Sequence, residues 1–79
     1  MIEVKKAVQI ASEYLTDLYA DKSFYDHELE EVELADDEKH WLITLSYATS
    51  VVPSVGRHYK QFKIKADTGQ VVAMKIRRP

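Results

Sequence analysis

The strongest constraint on what this chain can fold into is a single change of hydrophobic period. From about Glu3 to Ala20 the apolar residues Val4, Ala7, Val8, Ala11, Leu15 and Leu18 return every three or four positions, widened by Ile10, Tyr14 and Tyr19. That is the spacing of a helix lying on a core. No Gly or Pro interrupts it, and Ala7 and Ala11, one turn apart, let the helix backbone approach a sheet closely. From Leu29 onward the period is two, the signature of strands with one buried face. The spacing predicts a single α+β domain over residues 1–79, an N-terminal helix packed on one face of a four-stranded antiparallel sheet (α-β-β-β-β). The expected elements are a helix at 3–20 and strands at 29–35, 40–50, 57–66 and 70–77.

Each hairpin carries its own register. Asp21 to His27 is polar around Phe24 and Tyr25 and reads as a connection. Val32 and Leu34 then alternate with Glu31 and Glu33, and Asp36-Asp37-Glu38-Lys39 forms a turn. Trp41, Ile43, Leu45 and Tyr47 follow, alternating with Leu42, Thr44, Ser46 and Ala48. A turn of that length sets Leu34 opposite Trp41 and Val32 opposite Ile43, with large apolar residues on one side of both strands. In the second hairpin, Phe62 and Ile64 alternate with Gln61, Lys63 and Lys65. Asp67-Thr68-Gly69 reads as a three-residue connection with Gly at the left-handed position. Pairing Ala66 with Gln70 then sets Ile64 opposite Val72 and Phe62 opposite Met74. The opposite face of the sheet is expected to carry Glu31 and Glu33, then Leu42, Thr44 and Ser46, then Tyr59, Gln61, Lys63 and Lys65, and last Val71, Ala73, Lys75 and Arg77.

That face is charge-separated because the chain is. The net charge is −2, but residues 1–56 hold four basic and twelve acidic side chains, a balance of −8, and residues 57–79 hold seven basic and one acidic, a balance of +6. In a small sheet protein such asymmetry either marks a binding surface or lets adjacent strands neutralise one another. There is no Cys, so neither a disulfide framework nor a thiolate metal site is available, which fits a reducing cytoplasm. The first residues lack a leader pattern, and no apolar run approaches the roughly 20 residues of a membrane helix. The expectation is an unexported cytoplasmic protein, complete as it stands, with no membrane contact.

Little supports catalysis. His27, His40 and His58 are scattered, with no partner or carboxylate at metal-ligand spacing. Gly56 and Gly69 are isolated and form no phosphate cradle. The acidic run Asp26–Glu38 reads as a solvated edge. No catalytic residue, metal or cofactor is expected. The loop Thr49–Gly56 is more informative: Val51, Val52, Pro53 and Val55 stand where turn chemistry favours polar residues. Either they are exposed for binding, or Val51 and Val52 extend the second strand or cover the sheet end. The candidate partner-binding residues are Val51, Val52, Pro53, Val55 and Gly56 of that loop, with Tyr59, Lys63, Lys65, Lys75 and Arg77 of the outer face. Nucleic acid is not the expected partner, because a base-stacking sheet needs several exposed aromatics and only Tyr59 qualifies.

Ala7-x-x-Ile10-Ala11-x-x-Tyr14-Leu15 on the helix, with Phe62-x-Ile64-x-Ala66-Asp67-Thr68-Gly69-Gln70-Val71-Val72 at the end of the chain, resembles a PepSY-type domain. Those domains resemble cystatins in shape, a curled antiparallel sheet around a helix. The resemblance implies an inhibitory or regulatory binding module. Small bacterial immunity proteins share a similar pattern of a helix followed by a Trp-bearing strand, here Tyr14-Leu15 and Trp41. Gln70-Val71-Val72-Ala73 repeats a string of the cystatin protease-binding loop, but its alternation places it in the last strand. The expected function is a non-enzymatic module that binds or inhibits another protein. One alternative is an immunity or antitoxin-like protein that neutralises a basic partner through Asp26–Glu38. The other is a homodimer formed through the outer face or an edge strand.

Overall fold

The computed structural model describes residues 1–18, 25–48 and 56–77. Its elements run α1 (Val4–Leu18), β1 (Tyr25–Leu34), β2 (His40–Ala48), β3 (His58–Lys65) and β4 (Val71–Arg77). The strands form one antiparallel sheet in chain order, β1-β2-β3-β4, with the helix on one face, the expected α+β arrangement. Residues 19–20 of the expected helix and 49–50 of the second strand lie outside the described residues.

The helix buries the middle of the stripe its period predicts, while Leu18 and Tyr14, expected on the same stripe, are 50% and 41% exposed because they lie at its end and its margin. Ala7, Ala11 and Leu15 are fully buried against Ile43, Leu45 and Tyr47 of β2 and Phe62 and Ile64 of β3. Two alanines on that stripe bring the helix axis close enough for Leu15 and Phe62 to fill the space between the layers. Tyr14 meets Phe62 edge to face, ring centroids 5.9 Å apart at 78°. The chain ahead of the helix is pinned at the sheet end where both hairpin turns lie. There the Ile2 N–H donates to the Ala66 carbonyl at 2.6 Å, and Trp41 Nε1–H donates to the Ile2 carbonyl at 3.2 Å.

The first hairpin adopts the expected register, Leu34 opposite Trp41 and Val32 opposite Ile43. Its first strand is longer than expected: β1 begins at Tyr25, which pairs with Ala48, so Tyr25–His27 belongs to the sheet and not to a connection. The alternation there includes the polar His27, so no apolar period marks this part of the strand. Glu30 is an extra residue, since Leu29 opposes Leu45 while Glu31 opposes Thr44.

The second hairpin departs from expectation at its turn. Phe62 opposes Met74 as expected, but Ile64 faces Val71, not Val72, and Val72 is the bulged residue. The Lys65 N–H donates to the Gln70 carbonyl and the Gly69 N–H to the Lys65 carbonyl, both at 2.8 Å, closing a loop over Ala66–Gly69. Ala66 cannot pair with Gln70 because its own groups are taken: its N–H donates to the Lys39 carbonyl and its carbonyl accepts from Ile2. Val71 therefore leaves the outer face and packs against the core, while Val72 is 45% exposed. Gly69 is left-handed (φ +80°) as expected, and a Cβ there would lie 2.9 Å from Ile10 Cδ1.

Because α1 sits over β2 and β3, the inner faces of the two outer strands are partly open. Leu29 and Val32 of β1 are 48% and 36% exposed, and Ile76 of β4 is 70% exposed. Among the described residues no helix is long and apolar enough to cross a membrane.

Candidate functional site

The face turned away from the helix is assembled by strand register alone. Across it run three rows: Glu28–Ser46–Tyr59–Arg77, Glu31–Thr44–Gln61–Lys75 and Glu33–Leu42–Lys63–Ala73. Lys65 opposes His40 on the same side. Thus the sheet brings Tyr59, Lys63, Lys65, Lys75 and Arg77 together on β3 and β4, and puts Glu28, Glu31 and Glu33 on β1. The expected bipolar face exists, acid along one margin and base along the other, with the near-neutral strand β2 between them. Of the expected loop residues, Val51, Val52, Pro53 and Val55 lie outside the described residues. Gly56 is exposed and left-handed (φ +81°), with open space where a Cβ would stand, so backbone conformation and not crowding selects glycine.

Three local arrangements on this face were not visible in the sequence. At the first row, the Ser46 hydroxyl donates to Glu30 Oε2 at 2.6 Å and accepts from Arg57 Nε at 3.1 Å. Ser46 is fully buried and so joins an acidic and a basic side chain across the width of β2. The β1 bulge makes this possible, because it turns Glu30 onto the outer face beside Glu28 and Glu31.

At the second row, Thr44 is only 5% exposed, and its hydroxyl has no hydrogen-bond partner among the described residues. At the turn end, His40 Nδ1 lies 2.9 Å from Asp37 Oδ2, so this histidine has one carboxylate beside it. The Lys39 N–H donates to Asp37 Oδ1 at 2.8 Å. This amide bond is the main reason the Asp37 carboxyl titrates below its ordinary value. Partial desolvation opposes the effect, while the bond to His40 and the charges of His40 and Lys63 reinforce it.

Two concavities lie among the described residues. A cleft of about 400 Å³ lies where the two turns meet the N-terminus, lined by Met1, Glu38, Lys39, His40, Lys65, Ala66 and Asp67. An apolar groove of about 420 Å³ runs between α1 and β1, lined by Val4, Lys5, Val8, Leu29 and Val32. Among the described residues no group of three or more His, Asp or Glu is placed to hold a metal ion. His27 Nε2 and Ser12 Oγ are 3.2 Å apart, and the His58 ring stacks on Tyr47 with centroids 5.4 Å apart. His27 is thus held by a hydrogen bond and His58 by a ring contact. No family model matches the chain, and no curated protein and no solved structure matches it either.

Proposed function

We propose that the chain is a non-enzymatic protein-interaction module, inhibitory or regulatory in kind, which binds another protein through the outer face of its sheet. The observation that carries this reading is the charge-separated face itself: Arg77 opposes Tyr59 and Lys75, Lys63 and Lys65 follow along the same two strands, across the sheet from Glu28, Glu31 and Glu33. Complementary charge chiefly sets partner choice and encounter rate, and the cross-strand pair Tyr59 and Arg77 joins two of the residue types most enriched at binding surfaces. The resemblance of the helix and terminal hairpin to PepSY-type binding domains supports the same reading.

A second reading rests on the acidic margin. Glu28, Glu30, Glu31 and Glu33 are all exposed on β1, a surface suited to neutralising a basic protein, as an immunity or antitoxin-like protein does. Capture of partners from the native cell separates the two. Wild type is compared with Lys63→Glu/Lys75→Glu and with Glu31→Lys/Glu33→Lys, each checked for an unchanged melting curve. Loss of one captured protein with the first variant alone supports the leading reading, and loss with the second alone supports the other. A partner retained by both variants refutes the outer face as the binding surface.

A further inference from the structure

We infer that the two edges of this sheet are complementary to each other, so that β4 of one copy adds to β1 of the next and the chain self-associates head to tail. The inference goes beyond the reading above and does not depend on it. It concerns the edges of the sheet and commits the occupant of the β1 edge to a second copy of this chain.

The backbone comes first. Ala35 N–H donates to the His40 carbonyl, so residue 35 points its main-chain groups toward β2, and by alternation so do Glu33 and Glu31. Leu34 and Val32 therefore point theirs to the open edge. On the other margin Lys65 N–H donates to the Gln70 carbonyl, so residues 65, 63, 61 and 59 face β4. Their partners Ala73, Lys75 and Arg77 face back, which leaves Met74 and Ile76 pointing to the open edge. An antiparallel ladder between edges joins residues that both point outward. Pairing Met74 with Leu34 and Ile76 with Val32 meets that condition and keeps both helices on the same side of one continuous sheet.

The same register then decides the side chains. It places Lys75 opposite Glu33 and Arg77 opposite Glu31, at the non-hydrogen-bonded positions where side chains approach most closely. On the inner face it brings Ile76, 70% exposed in the single chain, against Val32 beside the apolar groove of Val4, Val8 and Leu29. The helices leave the junction open, since α1 packs chiefly on β2 and β3. Edge pairings of like with like fail on charge: β1 on β1 confronts Glu31 with Glu33, and β4 on β4 confronts Lys75 with Arg77. The bulges at Glu30 and Val72 end the regular runs, limiting the match to four pairs, 31–34 with 74–77. So short a junction buries less than a standard interface, and association is reversible and concentration-dependent.

The test uses prolines that spare the internal ladders. Val32 and Ile76 direct their N–H groups outward, so Val32→Pro and Ile76→Pro each block one edge without removing a hydrogen bond within the sheet. Sedimentation velocity is measured over a hundredfold range of concentration at low salt. Wild type is expected to show a sedimentation coefficient that rises with concentration and falls back in 0.5 M salt. Each proline variant alone stays monomeric, and the equimolar mixture forms a one-to-one dimer and nothing larger, because one free β4 meets one free β1. If Ile76→Pro alone dimerises, the contact is β1 on β1. If Val32→Pro alone dimerises, it is β4 on β4. Either result, or a wild type that remains monomeric throughout, overturns the proposal. Should a proline variant fail to fold, Glu31→Lys/Glu33→Lys and Lys75→Glu/Arg77→Glu replace the pair. Each alone should associate at least tenfold more weakly than wild type, and mixing them should restore association by exchanging the charges at the junction. No restoration on mixing refutes the register.

Discussion

Thr44 and Ser46 stand two residues apart on β2, both buried on the outer face, and removing their hydroxyls should shift stability in opposite directions. The Thr44 hydroxyl is buried with no hydrogen-bond partner among the described residues, whereas the Ser46 hydroxyl joins Glu30 to Arg57. A buried hydroxyl without a hydrogen bond costs about 1–3 kcal/mol of desolvation. Thr44→Val exchanges it for a methyl of nearly the same volume and keeps the β-branch that suits a strand. The expected outcome is a gain of about 1 kcal/mol, which for a chain of this size raises the melting temperature by roughly 4–8 °C. Ser46→Ala removes both bonds; Glu30 is exposed and recovers water, so the loss stays near the lower end, about 1–2 kcal/mol. Thr44→Ser is the control: it keeps the lone hydroxyl, removes a buried methyl and should cost about 1 kcal/mol.

Urea unfolding followed by the fluorescence of Trp41, the only tryptophan, measures all three. Trp41 is half-buried and bonded to Ile2, so its emission reports on sheet and N-terminus together. The slope against urea should not change among the variants, which would confirm that the folded and unfolded ensembles are the same. A Thr44→Val protein less stable than wild type would refute the argument, since it would mean the hydroxyl makes a bond that the geometry does not contain. So would a Ser46→Ala protein at least as stable as wild type.

Three further outcomes are expected. Leu15→Ala opens a cavity in a fully buried site and should cost about 2–5 kcal/mol, a large share of what a chain this short possesses, read from the same urea curves. Glu38 holds a left-handed backbone (φ 58°), so Glu38→Gly should gain a few tenths to about 1 kcal/mol in the same assay by relieving that strain. The Asp37 carboxyl should titrate below 3.8 by carbon-detected NMR; because its folded-state value is depressed, the stability it lends is present above that pH and is lost as pH falls through the lower, folded value. Asp37→Asn should accordingly flatten the acid limb of the stability profile.

How far the sequence reaches is set by what alternation can express. It is a statement about which side of a strand a residue takes, so it is reliable wherever the ladder is regular. Leu34 with Trp41, Val32 with Ile43 and Phe62 with Met74 all come from counting outward from a turn, and all hold. The basic side chains Lys63, Lys65, Lys75 and Arg77 are found together for the same reason. Counting fails where a residue is inserted. Glu30 and Val72 each add one position, and each moves a side chain to the other face: Glu30 gains Ser46, and Val71 joins the core. Neither bulge has a local signature in the chain. The one at Val72 follows from Ala66, whose main-chain groups are claimed by Lys39 and Ile2, residues far away in sequence.

The same limit explains why the edges had to be seen in three dimensions. Alternation says that Val32 and Ile76 face the helix side, but not how wide the helix is relative to the sheet. A single helix spans about 10 Å with its side chains, and strands lie about 4.8 Å apart. It therefore covers two strands well and leaves the inner faces of the two edge strands partly open. Any α-β-β-β-β chain of this size inherits two half-covered edge strands, and must either blunt them or use them. Here the charges along the two edges are of opposite sign, Glu31 and Glu33 on one and Lys75 and Arg77 on the other. Like charges on both edges would repel every approaching copy; opposite charges repel only the pairings β1 on β1 and β4 on β4. An edge arrangement selected solely against association has no reason to be split in this way, and that difference is what mixing the two proline variants measures.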